Sequence, residues 1–459
     1  MISEGTIIAL STASGAGAIA VIRLSGPDAI QTTDFFFRAK SKQELQRQKS
    51  HTIHLGDFMW NEQVIDEVLV SVFRNPYSYT GEDVIEISCH GSRYIQEKII
   101  QLFIDKGVQP AKAGEFTLRA FMNGKMDLAQ AEAVADVIAS ENAASHEVAM
   151  RQMRGGISEE IKILRQELLD FASLIELELD FSEEDVAFAD RAAFEALLIK
   201  IQNLLKRLID SFALGNVIKK GVPVAIIGAP NAGKSTLLNT LLQEDKAIIS
   251  DIAGTTRDAI EDEITLDGIA FRFIDTAGIR DTEDQIEKIG IQRTLQKSKG
   301  AAVVFYLIDA STFKKEEKNH LKNLSEIQKN QLETPLWVIF NKVDLIAHKL
   351  PERFNDRITL QISAKNESGI DLLKSSLTNY FKSIAYKDES MITNSRHYAA
   401  LVLALQEISK VQAGLENNLS SDLLAIDLRQ SLYHLGEITG QVTNDELLGN
   451  IFSNFCIGK

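Results

Sequence analysis

Cysteine is nearly absent: Cys89 and Cys456 are the two in 459 residues. They are too few and too far apart in sequence to form a disulfide framework or a zinc site. No uninterrupted apolar run reaches the roughly 18 residues that read as a membrane span. The leading Met1-Ile2-Ser3-Glu4-Gly5 has neither the basic stretch nor the apolar core of an export signal, so a cytoplasmic protein with no membrane partner is expected. Positive charge is in deficit, with 49 Lys and Arg against 64 Asp and Glu and a formal net charge of −15. That balance argues against a general nucleic-acid binder; an RNA contact needs a local basic patch or a partner. Proline disappears between Pro110 and Pro223, and the pattern there becomes helical. Apolar residues make up 45% of the chain, ample for real cores. At about 100–200 residues per domain, the length predicts roughly two to four domains.

The stretch from Val222 to Thr236 organises the rest. Val222-Pro223-Val224-Ala225-Ile226-Ile227 has the length and character of a strand. It meets Gly228-Ala229-Pro230-Asn231-Ala232-Gly233-Lys234-Ser235-Thr236, and the apolar Leu237-Leu238-Asn239-Thr240-Leu241-Leu242 follows. Strand, G-x-x-x-x-G-K-S loop and helix come in the order that phosphate binding requires. Gly228 and Gly233 let the backbone turn tightly, so that successive N–H groups point at phosphate oxygens. Lys234 can reach the β- and γ-phosphates, the Ser235 hydroxyl can ligate Mg²⁺, and the helix adds the positive end of its dipole.

Strands and helices then alternate as in a doubly wound parallel sheet. The strand Ile269–Ile274 ends at Asp275-Thr276-Ala277-Gly278, where Asp275 can hold Mg²⁺ through water and the Gly278 N–H can sense a γ-phosphate. Ala301–Ile308 reads as a buried central strand. Leu336–Phe340 ends at Asn341-Lys342-Val343-Asp344, whose carboxylate can accept both N1–H and the N2 amine of guanine; adenine lacks that pair of donors. Thr359–Ile362 leads to Ser363-Ala364-Lys365, whose backbone can meet the guanine carbonyl. Each string alone arises by chance. All of them in order, each at the carboxyl end of a strand, select GTP.

Elsewhere the signals are weaker. Residues 1–120 read as a small α/β domain, with strands at Thr6–Leu10, Ala18–Leu24, Glu67–Phe73 and Asp83–Ser88. Ser14-Gly15-Ala16-Gly17 lacks a Lys-Ser partner and is read as a turn. Arg38, Lys40, Lys42, Arg47 and Lys49 form a basic run that is either a solvated face or an RNA contact. Helical spacing carries Leu164, Leu168, Leu169, Ala172 and Ile175, and again Leu401, Leu405, Ile408, Val411 and Leu415. Glu183-Glu184-Asp185 after Ser182 reads as a capped helix start. Cys89-His90 has no second ligand pair nearby, which speaks against a metal there.

The motif set is similar to the translation-factor class of GTPases, and Asp251-Ile252-Ala253-Gly254-Thr255-Thr256-Arg257-Asp258 narrows it to the TrmE–Era–EngA-like branch. Residues 114–134, from Gly114-Glu115-Phe116 to Ala131-Glu132-Ala133-Val134, and the tail Phe455-Cys456-Ile457-Gly458-Lys459 resemble the MnmE (TrmE) family, GTPases of wobble-uridine modification in tRNA. The resemblance runs the whole length. It implies an α/β and all-α multidomain fold: an N-terminal α/β folate-binding and dimerisation domain (1–120), a helical domain in two parts (121–215 and 380–459) and an inserted Ras-like P-loop GTPase domain (216–379).

It also implies roles for particular residues. GTP contacts fall on Gly228, Asn231 to Thr236, Ser250, Thr255, Thr256, Asp275 to Gly278, Asn341, Lys342, Asp344, Ser363, Ala364 and Lys365, that is, with Ala232, Gly233, Lys234, Ser235, Thr276 and Ala277 included. Ser235 and Thr256 hold Mg²⁺. A K⁺ ion takes the place of an arginine finger, on Asn231, Ser250, Ile252 and Thr255. Ras-like enzymes carry a water-orienting glutamine after D-x-x-G; this chain has Ile279, and the matching carboxylate is Glu287, with Glu283 and Asp284 as neighbours in sequence. Arg257 and Arg280 are read as surface ion-pair residues. Arg23, Glu86, Lys125 and Lys459 match the site for 5-formyl- or methylene-tetrahydrofolate. Cys456 is either a nucleophile or a group that helps hold the one-carbon unit, or else a buried small hydrophobe in the tail.

The function so implied is K⁺-activated hydrolysis of GTP to GDP and phosphate by a homodimer. It is coupled to addition of an aminomethyl or carboxymethylaminomethyl group at C5 of U34 in tRNA, within a heterotetramer whose partner uses FAD and NADH. The competing expectation is a ribosome-assembly or RNA-binding GTPase switch without modification chemistry. Against it, the tail is helical where such switches carry a basic RNA-binding module.

Overall fold

Alternating burial builds the first sheet. Its strands are β1 (Ile7–Leu10), β2 (Ile19–Ser25), β3 (Phe37–Ala39), β4 (Thr52–Trp60), β5 (Gln63–Phe73), β6 (Val84–His90) and β7 (Gln109–Pro110), in the order β3-β4-β5-β6-β2-β1-β7. All pairings are antiparallel except β1 with β7. The computed structural model describes residues 5–180, 191–243, 262–274, 300–330, 334–354, 356–385, 391–417, 419–453 and 455–459. The acidic cluster at Glu183–Asp185 lies outside the described residues.

Ile22, Leu24, Val70, Val72, Ile85 and Ile87 alternate with polar residues and are fully buried. They pack with Phe36 of α1 (Ala29–Phe36) and with Ile99, Leu102 and Phe103 of α2 (Arg93–Asp105). Phe36 and Phe103 meet edge-on at 5.1 Å between centroids, and Phe58 lies 5.4 Å from Phe36. On the far side of β4 and β5 the apolar side chains have no such cover: Ile53, Leu55 and Val64 are 67%, 47% and 57% exposed. The basic run after α1 turns largely onto its own surface. Lys40 pairs with Asp57 at 2.7 Å and Glu67 at 3.1 Å, Arg47 with Glu44, and Arg38 donates to the carbonyls of Asp34, Phe35 and Phe37. This favours the solvated-face reading of that run.

Helices follow: α3 (Glu115–Met122), α4 (Leu128–Ala139), α5 (Ala143–Met153), α6 (Gly156–Asp180) and α7 (Arg191–Lys220). By contact, residues 1–139, 149–205 and 399–459 form one compact unit, and 140–148 with 206–398 form another. The second unit holds the other sheet, ordered β13-β12-β11-β8-β10-β9. Its strands are β8 (Val222–Gly228), β9 (Asp262–Leu266), β10 (Ile269–Phe273), β11 (Val303–Asp309), β12 (Leu336–Asn341) and β13 (Thr359–Gln361). Five run parallel, with α8 (Lys234–Gln243) and α9 (Phe313–Asn330) between them and α10 (Ile370–Ala385) following the last strand; β9 adds an antiparallel edge through the Asp267-Gly268 hairpin. β8 and β11 are buried almost throughout, as central parallel strands must be. The hairpin tip is anchored: Gly268 O accepts the Ala144 N–H at 2.9 Å.

The chain then returns to the first unit as α11 (Ser395–Glu416), α12 (Ser421–Thr439) and α13 (Asp445–Ser453). The apolar stripe Leu164, Leu168, Ala172 and Ile175 of α6 is buried, as is Leu428, Leu435 and Ile438 of α12, and these two helices pack together. Phe452 and Phe455 close a smaller core with Leu128, Ala131, Leu118 and Phe121. Gly114 has φ +65°, and a Cβ there would meet Phe452 O at 2.8 Å, so the turn into α3 admits no side chain against the C-terminal helix. Phe103→Ala removes a ring at the centre of the first core. Urea denaturation followed by circular dichroism should show the first unit losing about 3–5 kcal/mol.

Candidate functional sites

The nucleotide motifs gather at the carboxyl ends of the parallel strands, where open α/β sheets place their ligands. Gly228 ends β8 under β11; a Cβ on it would lie 2.5 Å from Leu307 O. Asn231 is left-handed at φ +60° and Gly233 at +93°, which folds the loop back before α8 starts at Lys234. A Cβ on Gly233 would collide with the Asn341 amide nitrogen. Lys234 Nζ donates to the carbonyls of Gly228 and Ala229 at 3.0 and 2.9 Å, and burial lowers its pKa. Ser235 is half-buried in the first turn of α8, and Thr236 is exposed beside it.

Asn341 joins the loops. Its side-chain N–H donates to Ala232 O at 2.9 Å, and its Oδ1 accepts the Ala364 N–H at 2.9 Å. It is 2% exposed, so both bonds are dry. Thr240 of α8 adds a third tie by donating to Ala364 O at 2.9 Å. Lys342 takes a left-handed turn (φ +62°) into the short 3₁₀ segment Val343–Leu345, which leaves Asp344 exposed. Ser363 is buried and Lys365 exposed. The structure therefore brings Gly228, Asn231, Ala232, Gly233, Lys234, Ser235, Thr236, Asn341, Lys342, Asp344, Ser363, Ala364 and Lys365 to one end of the sheet. Ser250, Ile252, Thr255, Thr256, Asp275, Thr276, Ala277, Gly278 and Glu287 lie outside the described residues, as do Arg257, Ile279, Arg280, Glu283 and Asp284. The arrangement of loop amides, a half-buried lysine, a helix N-terminus and an exposed carboxylate suits a nucleotide with a phosphate chain.

In the first unit, Arg23 of β2 faces Glu86 of β6 across the ladder, and both its Nε and Nη2 meet Glu86 Oε1, at 2.9 and 2.8 Å. The rings of Tyr79 and Phe116 lie 5.6 Å from its guanidinium carbon, and burial raises the Tyr79 phenol pKa against the opposing effects of Thr117 and Arg23. Arg23 Nη1 also donates to Gly458 O at 3.3 Å, which Ser11 Oγ reaches at 3.1 Å. Ile457 pairs with Ala113, so the tail is held as an added strand bridge with Lys459 just beyond. Lys125 donates to Pro76 O at 2.9 Å, in the loop that carries Tyr79. Tyr79 and Phe116 were not anticipated; aromatic residues near a lone arginine leave no periodic signal.

Two family models match: "MnmE helical domain" over residues 128–456 and "GTP-binding protein TrmE N-terminus" over residues 6–125. The tRNA modification GTPase MnmE of Christiangramia forsetii is 58% identical, with 99% of each chain covered. Its namesakes in Flavobacterium johnsoniae and Bacteroides thetaiotaomicron are 58% and 52% identical over 100% of both chains. The chain belongs to the MnmE family.

Both cysteines of this MnmE-family chain are free, with Cys89 buried and Cys456 exposed on the tail. Exposure of Cys456 disfavours its reading as a buried hydrophobe. Burial, helped by the negative Asp66, pushes the Cys89 thiol up to about 11. Next to it, His90 Nδ1 lies 2.7 Å from the buried Asp66 carboxylate, which also accepts the His90 backbone N–H at 2.8 Å. The thiolate is the reactive form. At pH 8 a thiol reagent should therefore label Cys456 rapidly and Cys89 only after denaturation, as read by peptide mass spectrometry. Asn341→Ala strands the buried Ala364 N–H, at about 1–3 kcal/mol. Calorimetry should show GDP affinity reduced by about tenfold or more.

Proposed function

We propose that this chain is a GTP hydrolase acting in tRNA modification, and that it works as its MnmE relatives are named to do. The observation that carries this is the Asn341 junction: one buried carboxamide holds the phosphate loop and the Ser363-Ala364-Lys365 loop against each other at the strand ends. The full-length relatives support the tRNA side of the reading. GTP is hydrolysed to GDP and phosphate: water attacks the γ-phosphorus and the β–γ bridging bond breaks. Lys234 and the loop amides neutralise the phosphates, Asp344 accepts the guanine donors, and Ser235 with Thr256 ligates Mg²⁺. Asn231, Ser250, Ile252 and Thr255 hold K⁺, and Glu287 orients the water. Of these oxygen donors, Ser235 lies at a helix N-terminus and Asn231 on the exposed rim of the loop, positions that fit cations beside phosphate.

The same reading makes the Arg23–Glu86 pair, with Lys125 and Lys459, the site of 5-formyl- or methylene-tetrahydrofolate. A charge pair walled by Tyr79 and Phe116 fits a flat heterocycle with a charged tail. Because Arg23 occupies Glu86 Oε1, a ligand engaging this carboxylate competes with or extends that ion pair. The uncovered apolar side chains Ile53, Leu55 and Val64 on the 1–120 domain favour a homodimer. The domains keep the limits 1–120, 121–215, 216–379 and 380–459, and the protein is cytoplasmic. Modification at C5 of U34 is shared with a partner that uses FAD and NADH. GTP turnover in KCl against NaCl at equal ionic strength tests the G-domain mechanism. K⁺ should activate strongly, and Glu287→Ala should lower kcat by about 10²-fold or more with GTP binding retained. Equal turnover in the two salts would remove the K⁺ assignment, and an unaffected variant would remove Glu287.

A further inference from the structure

Asp309 ends β11 directly beside Asn341 of β12 in the ladder register. Its two oxygens are used differently. Oδ1 accepts the Ser311 N–H at 2.9 Å and the Ser311 hydroxyl at 2.6 Å, shaping the turn that leads to α9. Oδ2 meets Lys342 Nζ at 2.7 Å across 33 positions of sequence. Lys342 has a left-handed backbone, so its side chain leaves the turn in a direction that ordinary strand or helix geometry does not set. The ion pair therefore decides where the four-carbon stem lies. Both groups are substantially covered, with 32% and 18% of the lysine and aspartate side chains exposed. Desolvation pulls the Asp309 carboxyl upward, but hydrogen bonds from Lys342 and Ser311 outweigh it and hold the group below its ordinary value.

We propose that Asp309 is a positioning residue for guanine recognition: it pins Lys342 so that the lysine stem forms a fixed wall beside the base whose donors Asp344 accepts. This rests on the guanine-site reading of Asn341-Lys342-Val343-Asp344. A loose lysine at this position would have to be ordered when nucleotide binds; the ion pair orders it beforehand. The pair also leaves the wall without net charge, which suits the flat face of a neutral base. The plainer account gives Asp309 only the turn before α9, through Oδ1. The two accounts separate at Asp309→Asn, because an asparagine keeps an oxygen for Ser311 and loses the charge that holds Lys342.

The experiment uses the full chain and a fluorescent GDP derivative. Dissociation rates are measured by stopped flow for wild type, Asp309→Asn, Lys342→Ala and the double variant, with melting of the nucleotide-free proteins as a check on folding. Asp309→Asn should release the nucleotide about tenfold faster at an unchanged melting temperature. The double variant should be no faster than Lys342→Ala, since the aspartate acts through the lysine. In Asp309→Asn any fall in turnover at saturating GTP should be smaller than the change in release rate, because the effect falls on holding the base and not on the phosphates. A wild-type release rate in Asp309→Asn, or effects of the two substitutions that multiply fully, would overturn the proposal. Failure of the wild type to bind the GDP derivative would instead remove the guanine-site reading, and this inference with it.

Discussion

A single buried carboxamide is what the nucleotide end of the second sheet depends on. Asn341 offers one donor and one acceptor, and each meets a backbone group of a different loop. Neither loop has regular structure to hold it, and a buried backbone group without a partner costs free energy comparable to a lost hydrogen bond. Asparagine at this strand end satisfies both loops at once. Gly233 must be glycine for the same reason, since any Cβ there would displace the amide. Thr240 ties α8 into the same set, so the helix that presents its N-terminus to phosphate is fixed by the loop on the base side.

The first unit relies on ion pairs placed between elements. Arg119 of α3 is 3% exposed; it meets Glu82 at 3.0 Å and Glu115 at 3.2 Å and donates to Gly5 O at 2.9 Å. Ser25 adds a bond of 2.6 Å to the same Glu82, so the loop after β5, the end of β2 and α3 share one network. Removing one member of such a network leaves a buried charge uncompensated. The Arg23–Glu86 pair lies on the same sheet but is only partly covered, which leaves it able to meet a ligand.

Local chemistry was legible in the sequence, and long-range pairing was not. The phosphate loop could be read because its glycines, lysine and serine act within nine consecutive residues. The central strands Val222–Gly228 and Val303–Asp309 could be read because burial on both faces leaves an unbroken apolar run. β4 escaped because its apolar residues Ile53 and Leu55 face outward, which blurs the alternation that marks a half-buried strand. β9 was not among the expected strands, although Asp267-Gly268 is a hairpin signal. The Arg23–Glu86 and Lys342–Asp309 pairs span 63 and 33 positions, distances over which no periodicity operates. Their partners became identifiable only once the sheet registers were known.

The contact between Arg23 and Gly458 spans 435 positions, with the whole second unit synthesised in between. Closing so long a loop costs only about 0.6 kcal/mol more per doubling of its length, so the finished protein bears little penalty. The cost falls on timing. On the ribosome, β2 and β6 are complete early, and the ion pair stands open while more than three hundred further residues are made. Only a chain that carries its tail can close the wall over Arg23. The Arg23–Gly458 contact therefore forms after the strands of both sheets have been made, so the closing of this wall is a late event in the molecule's assembly.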